Sequence, residues 1–81
     1  MNITVQVFAR AKELVGESQV EVALPESACV RDLREALGEQ YPALRPLVGS
    51  LLVAIGNEYA ADTTMIEPTS KIACFPPVSG G

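Results

Sequence analysis

Two glycines end the chain, and they are the residues best suited to chemistry. Gly80 and Gly81 have no side chains, so the terminus can lie flat in a narrow channel and present only a carboxylate. That carboxylate is ionised at neutral pH and is a poor electrophile until ATP converts it to an acyl-adenylate. A sulfur nucleophile would then give a C-terminal thiocarboxylate, whereas a lysine amine would give an isopeptide bond. The Gly-Gly sequence by itself does not separate these two reactions.

The residues before the glycines form a stiff base for a C-terminal tail. Pro76 and Pro77 donate no backbone N–H and favour an extended conformation, and Val78 and Ser79 follow them. The six residues 76–81 can reach up to roughly 20 Å at about 3.3 Å each. This length is enough for the tail to enter a partner's active site while the globular body stays outside.

The composition is typical of one small folded domain, which we place at residues 1–75, before the tail. The chain has 81 residues, of which 48% are apolar and 20% charged, and its net charge is −4. Its six basic residues are spread along the chain, so no nucleic-acid partner is expected. The sequence has no long apolar run and no signal-peptide pattern at its start, so we expect no membrane span and a cytoplasmic location.

The sequence is poor in conventional catalytic and metal-binding groups. It contains no histidine, which is the usual general base and the commonest metal ligand. Cys29 and Cys74 are far apart, and we expect both to be buried or simply tolerated small residues. Glu58, Asp62 and Glu67 share one loop, but their spacing matches no calcium-binding loop, so no metal site is predicted.

Four segments have the residue pattern of β-strands. Apolar residues alternate in the first two segments, and the third is apolar throughout. The strands are predicted at residues 3–8, 19–24, 51–55 and 71–75. Because the third segment is uniformly apolar, we expect it to be a central strand with both faces covered. Gly56 and Asn57 supply a tight turn after it.

The main helix is predicted at residues 27–40, where apolar residues recur at helical spacing. Ser27 or Cys29 would be its N-cap. A shorter helix is predicted at 9–15, with Gly16 capping its end. One main helix packed on one face of a mixed sheet is an α+β fold, and the element order favours a β-grasp (ubiquitin-like) arrangement.

Both ends of the chain resemble one known family, the small (sulfur carrier) subunit of molybdopterin synthase, or MoaD family. The C-terminal residues are similar to the family's terminal signature and read Phe75-Pro76-Pro77-Val78-Ser79-Gly80-Gly81. The residues after the first strand resemble the corresponding family segment and read Phe8-Ala9-Arg10-Ala11-Lys12-Glu13-Leu14-Val15-Gly16. The spacing between the two segments also matches, so the resemblance covers nearly the whole chain.

The resemblance implies a β-grasp fold and the role of a sulfur carrier without catalytic side chains of its own. An adenylyltransferase related to ubiquitin-activating enzymes would adenylate Gly81, and a sulfurtransferase would supply the sulfur. The tail with Gly80 and Gly81 would then enter the large subunit of molybdopterin synthase and donate sulfur to cyclic pyranopterin monophosphate, which forms the molybdopterin dithiolene. The resemblance implies a heterotetramer and no bound cofactor besides the transient glycyl-adenylate and the glycyl thiocarboxylate.

Two aromatic residues are predicted to form a docking surface for the large subunit. Phe8 and Phe75 lie opposite the inward faces of the first and last strands, which are neighbours in a β-grasp sheet, so their rings should form one exposed patch. Lys12 stands where arginine is common in the family and is a further candidate contact. The tail residues complete the predicted partner-binding set: Pro76, Pro77, Val78 and Ser79.

Three other functions fit the same tail. The chain could carry sulfur for another pathway, such as thiamine, cysteine or tRNA thiolation, although Phe75-Pro76-Pro77 favours molybdopterin synthesis. It could instead be a ubiquitin-like modifier that is joined to lysines of other proteins. In the last alternative it is a passive interaction domain whose Gly-Gly end does nothing.

Overall fold

The computed structural model describes residues 1–77, and the four predicted strands and two predicted helices occur in it in the predicted order. Its strands are β1 (Asn2–Val7), β2 (Gln19–Ala23), β3 (Leu52–Ile55), β4 (Glu58–Tyr59) and β5 (Ile72–Phe75). Its α-helices are α1 (Ala9–Val15), α2 (Val30–Gln40) and α3 (Arg45–Val48), with a 3-10 turn at Pro42–Leu44. No helix within residues 1–77 is long and apolar enough to cross a membrane.

The strands form one mixed sheet in the order β2-β1-β5-β3-β4. β1 pairs antiparallel with β2 and parallel with β5, and β3 pairs antiparallel with both β5 and β4. The first and last strands are therefore neighbours, and the apolar stripe of α2 packs on one face of the sheet. This is a β-grasp arrangement, so the predicted α+β class is confirmed.

The core lies between α2 and the inner face of the sheet. Along β1, buried residues alternate with exposed ones, because successive side chains of a strand point to opposite faces. The apolar stripe of α2 faces them and is buried at Val30, Leu33, Ala36 and Leu37. The largest fully buried side chains are Ile3, Val5, Val7, Val22, Val30, Leu33, Leu37, Leu44, Leu51, Val53 and Cys74.

The prediction that strand 51–55 is central and covered on both faces is wrong. β3 lies second from an edge of the sheet, and β5 takes the central position. Val53 is buried, but Leu52 is 37% exposed and Ala54 is only half-buried. A short apolar run has the same composition whether one face or both are covered, so the sequence did not reveal the open outer face.

α2 begins three residues later than predicted, because the backbone before it is not helical. Ser27 has a φ of 62°, which lies in the left-handed region, so a right-handed helix cannot run through it. Cys29 is the N-cap, as one of the two alternatives had it. Its backbone N–H donates to Asp32 Oδ2 at 2.9 Å, and its Sγ lies 3.4 Å from the same oxygen. At the end of α1, Gly16 has a φ of 79° and caps the helix as predicted.

Candidate functional site

The predicted site is divided between a described surface and a tail beyond it. Val78, Ser79, Gly80 and Gly81 lie outside the residues that the structure describes. Pro76 is half-buried and Pro77 is exposed, directly after the end of β5. The described part of the site is therefore the surface from which the tail departs.

Phe8 and Phe75 lie side by side on the outer face of the sheet, away from α2. Val7 is paired with Cys74 in the β1–β5 register, and both are buried, so the next residue of each chain segment points to the opposite face. The two ring centroids are 5.7 Å apart and the ring planes are tilted by 48°. Phe8 is 44% exposed. The predicted proximity of the two rings is confirmed, and their use as a docking surface stays a prediction.

Tyr59 is a third member of this cluster, and the sequence analysis missed it. Its ring stands edge-on to Phe75 with a centroid distance of 6.0 Å and an interplanar angle of 85°. The two-residue turn Gly56–Asn57 places Tyr59 opposite Ala54 in the β3–β4 pairing. Because the length of a hairpin loop sets the register, the predicted turn was the signal that could have identified Tyr59. Its side chain is 72% exposed.

The three rings border a shallow groove of about 330 Å³, which we call the aromatic groove. Its floor is made by Ala54 and Ala73, which are paired across β3 and β5 and leave room between the larger side chains. The complete lining is Phe8, Ala54, Gly56, Asn57, Tyr59, Ala73 and Phe75. None of these described lining residues is charged, so the groove suits an apolar side chain.

Beside the aromatic groove the same face of the sheet becomes polar. A second groove of about 360 Å³ adjoins it and shares Gly56, Asn57 and Ala73 with it. The rest of its lining is Thr4, Gln6, Gln19, Ser70, Lys71 and Ile72. Within this described set Lys71 is the charged member. The outer face thus has an aromatic half beside the tail and a polar half toward β2.

Lys12 lies apart from the aromatic groove. It is exposed on α1, one turn beyond Phe8. Its backbone N–H donates a hydrogen bond to the Phe8 carbonyl oxygen at 3.4 Å. Arg10 on the same helix pairs with Glu13 at 3.6 Å, and both of these side chains are exposed. The structure therefore brings Phe8 and Phe75 together and does not add Lys12 to their groove.

The described residues provide contact surface and not reactive groups. Cys74 is fully buried on the inner face of β5, as predicted, and burial raises the pKa of its thiol to about 12. Cys29 is half-buried and engaged with Asp32. Within residues 1–77 no three His, Cys, Asp or Glu side chains are grouped so that they could hold a metal ion.

Comparison with known proteins decides the family. The ThiS family model matches residues 5–81, which include the strands of the aromatic groove and both terminal glycines. The chain belongs to the ThiS family. The match confirms that the resemblance seen at the two ends of the sequence extends through the intervening residues.

Relatives of this ThiS family chain support the predicted resemblance and the fold. A molybdopterin synthase sulfur carrier subunit from Caenorhabditis briggsae is 34% identical, and the alignment covers 100% of this chain and 99% of the relative. The crystal structure of SAMP1 from Haloferax volcanii is 30% identical with a TM-score of 0.86 and is matched over 100% of both chains. A putative molybdopterin converting factor subunit 1 from Pyrococcus furiosus is 26% identical with a TM-score of 0.83, over 96% of this chain and 99% of that one.

Proposed function

We propose that this chain is the sulfur carrier subunit of a molybdopterin synthase. The observation that carries the proposal is the position of the aromatic groove, where β5 passes into Pro76-Pro77 and the Gly-Gly tail. A carrier needs a surface that docks its partner next to a terminus that the partner can use. The names of the Caenorhabditis briggsae and Pyrococcus furiosus relatives support the same function.

In the proposed activation, the carboxylate of Gly81 becomes an electrophile in a partner enzyme. An adenylyltransferase joins this carboxylate to the α-phosphate of ATP and releases pyrophosphate. Hydrosulfide, which a sulfurtransferase supplies, then attacks the acyl carbon. A C–S bond forms, the C–O bond to the phosphate breaks, and AMP leaves with the electron pair. The product is the Gly81 thiocarboxylate, and no side chain of this chain takes part.

In the proposed transfer, the aromatic groove docks the large subunit so that the tail enters its active site. The thiocarboxylate sulfur attacks a carbon of cyclic pyranopterin monophosphate, a C–O bond at that carbon breaks, and the oxygen leaves with the electron pair. Water then cleaves the acyl C–S bond. This hydrolysis leaves the sulfur on the pterin and regenerates the Gly81 carboxylate. Two such transfers build the dithiolene, with catalytic side chains supplied by the large subunit. The small side chains of the tail favour entry, because little bulk has to pass through the channel.

Reconstitution with purified partners tests this function. The chain is incubated with ATP, an adenylyltransferase of the ubiquitin-activating type and sulfide, and its intact mass is measured. We expect a gain equal to the sulfur-for-oxygen difference, located at Gly81, and formation of molybdopterin once the large subunit and cyclic pyranopterin monophosphate are added. A variant lacking Gly81 is the matched control and should show neither result. An unchanged mass with an active adenylyltransferase would contradict the proposal.

A second candidate function is covalent modification of other proteins. It is favoured by the similarity to SAMP1, whose name stands for small archaeal modifier protein 1. In that case the Gly81 adenylate would be attacked by a lysine amine, and an isopeptide bond would form. Conjugates of higher mass in the native host that vanish when Gly81 is deleted would support this function. Their absence, together with rescue of a strain that lacks the small synthase subunit, would favour the first candidate.

A further inference from the structure

β2 forms an edge of the sheet and carries backbone groups that point away from it. Within the described residues β2 pairs only with β1. The bond from Leu24 N–H to Met1 O, at 2.8 Å, sets the alternation of the antiparallel ladder. By that alternation the N–H and C=O groups of Glu21 and Ala23 point outward. An edge of this kind is a template on which another strand can pair.

Two residues at the end of α2 occupy this template with their side chains. Ala23 N–H donates to Gln40 Oε1 at 2.9 Å, and Gln40 Nε2 donates to Ala23 O at 2.9 Å. The side-chain amide of Gln40 thus makes the two hydrogen bonds that a neighbouring strand would make. Tyr41 Oη donates to Glu21 O at 2.8 Å. Of the outward groups on Glu21 and Ala23, only the Glu21 N–H has no such bond among the described residues.

The geometry of the helix end places both side chains. Tyr41 is the C-cap of α2, and its N–H still bonds to Leu37 O at 2.9 Å. Its backbone has left the helical region, with φ −129° and ψ 78°. Pro42 requires this departure, because the residue before a proline disfavours helical backbone angles. The chain therefore stops its helix where Gln40 and Tyr41 reach β2.

We propose that Gln40 and Tyr41, the edge cover, prevent β2 from pairing with β2 of a second copy of this chain. Two identical β2 edges can pair antiparallel around a two-fold axis. A second copy of this chain is always present in solution, so it is the partner available to an uncovered edge. The edge cover already supplies bonds to three of the four outward backbone groups of Glu21 and Ala23, so a second strand gains little by replacing them. This inference does not depend on the proposed sulfur chemistry, because it uses no residue of the tail or the aromatic groove.

Amide hydrogen exchange and sedimentation velocity test the edge cover on the full chain. In the unaltered protein we expect the Ala23 amide to exchange more slowly than the Glu21 amide, although both point outward. In the double variant Gln40→Ala, Tyr41→Phe, the Ala23 amide of dilute protein should exchange about three- to tenfold faster. At high concentration the variant should sediment as a dimer, and its Glu21 amide should become protected. Glu39→Ala, an exposed change one residue earlier on α2, is the matched control and should alter neither readout.

Three results would overturn the proposal. The first is equal exchange of the Ala23 and Glu21 amides in the unaltered protein. The second is a folded double variant that stays monomeric at every concentration. The third is association without protection of the Glu21 amide, because that would locate the contact elsewhere. If the double variant does not fold, as judged by circular dichroism, the single variants Gln40→Ala and Tyr41→Phe are measured against the same three criteria.

Discussion

The rings of Phe8 and Phe75 lie 5.7 Å apart on the outer face of the sheet, although they come from opposite ends of the chain. Their contact follows from the parallel pairing of β1 and β5, which places the end of one strand beside the end of the other. Tyr59 closes the cluster from the far side of Phe75. Pro76 and Pro77 thus follow β5 beside an exposed aromatic surface, and this relationship leads to the first prediction.

Phe75→Ala should weaken binding of the large subunit by about 30-fold, because truncating a central aromatic at a protein interface costs about 2 kcal/mol. The fold should remain, since the Phe75 side chain is only half-buried. Isothermal titration calorimetry with the purified large subunit measures the affinity. Met65→Ala is the control, because Met65 is also a large exposed apolar residue, at 54%, but does not line the groove. Equal losses in both variants, or global unfolding of Phe75→Ala, would contradict the prediction.

Ala9→Gly should stabilise the protein by roughly 0.5–1 kcal/mol. Ala9 is the first residue of α1 and has a φ of 52°, which is a left-handed backbone conformation. This conformation is unfavourable for alanine, whereas glycine adopts it at almost no cost in free energy. Urea unfolding of the two proteins measures the difference. Ala11→Gly is the opposite case, because Ala11 is buried within the same helix and should lose stability when its methyl group is removed. A loss of stability in Ala9→Gly would show that the positive φ is not strained.

The N-cap of α2 should make stability depend on acid pH. The pKa of Asp32 lies below its ordinary value of 3.8. The larger cause is the hydrogen bond from the Cys29 backbone N–H, and the next is the hydrogen bond from the Cys29 side chain. A carboxyl group whose pKa is lowered by folding stabilises the folded state above its unfolded pKa. That contribution is lost as the pH falls through the folded pKa.

Asp32→Ala should therefore be less stable than the unaltered protein at neutral pH, and the gap should narrow as the pH falls below about 4. Urea unfolding at a series of pH values measures this gap. Glu35→Ala, an exposed change on the same helix, should show no comparable narrowing. A gap that stays constant from neutral to acid pH would mean that the ionised carboxylate does not contribute.

The two thiols should differ sharply in their reactivity with an alkylating reagent. Cys74 is fully buried and the pKa of its thiol is raised to about 12, so little thiolate forms at mildly alkaline pH. Cys29 is half-buried and accessible at the start of α2. Mass spectrometry of the native protein should find the label on Cys29, and on Cys74 only after denaturation. Rapid labelling of native Cys29→Ser would contradict the buried position of Cys74.

Much of the fold could be predicted because its signals are local. The alternation in β1, the apolar stripe of α2 and the cap at Gly16 each depend on residues within a few positions of one another. The proximity of Phe8 and Phe75 also followed, because a β-grasp sheet places the first and last strands together. The Gly-Gly end after two prolines could be recognised from the sequence, because recognising it does not require the fold.

What the sequence by itself determined is the set of elements, their inward faces and the chemistry open to a Gly-Gly terminus. The tertiary structure alone decided which outer surfaces stay open: β3 is not central, Tyr59 joins the aromatic groove, and Gln40 and Tyr41 cover the edge of β2. The physical reason is that periodicity reports which residues of one segment share a face. Which segments then lie side by side depends on the pairing of strands that are distant in sequence, and no local pattern encodes that pairing.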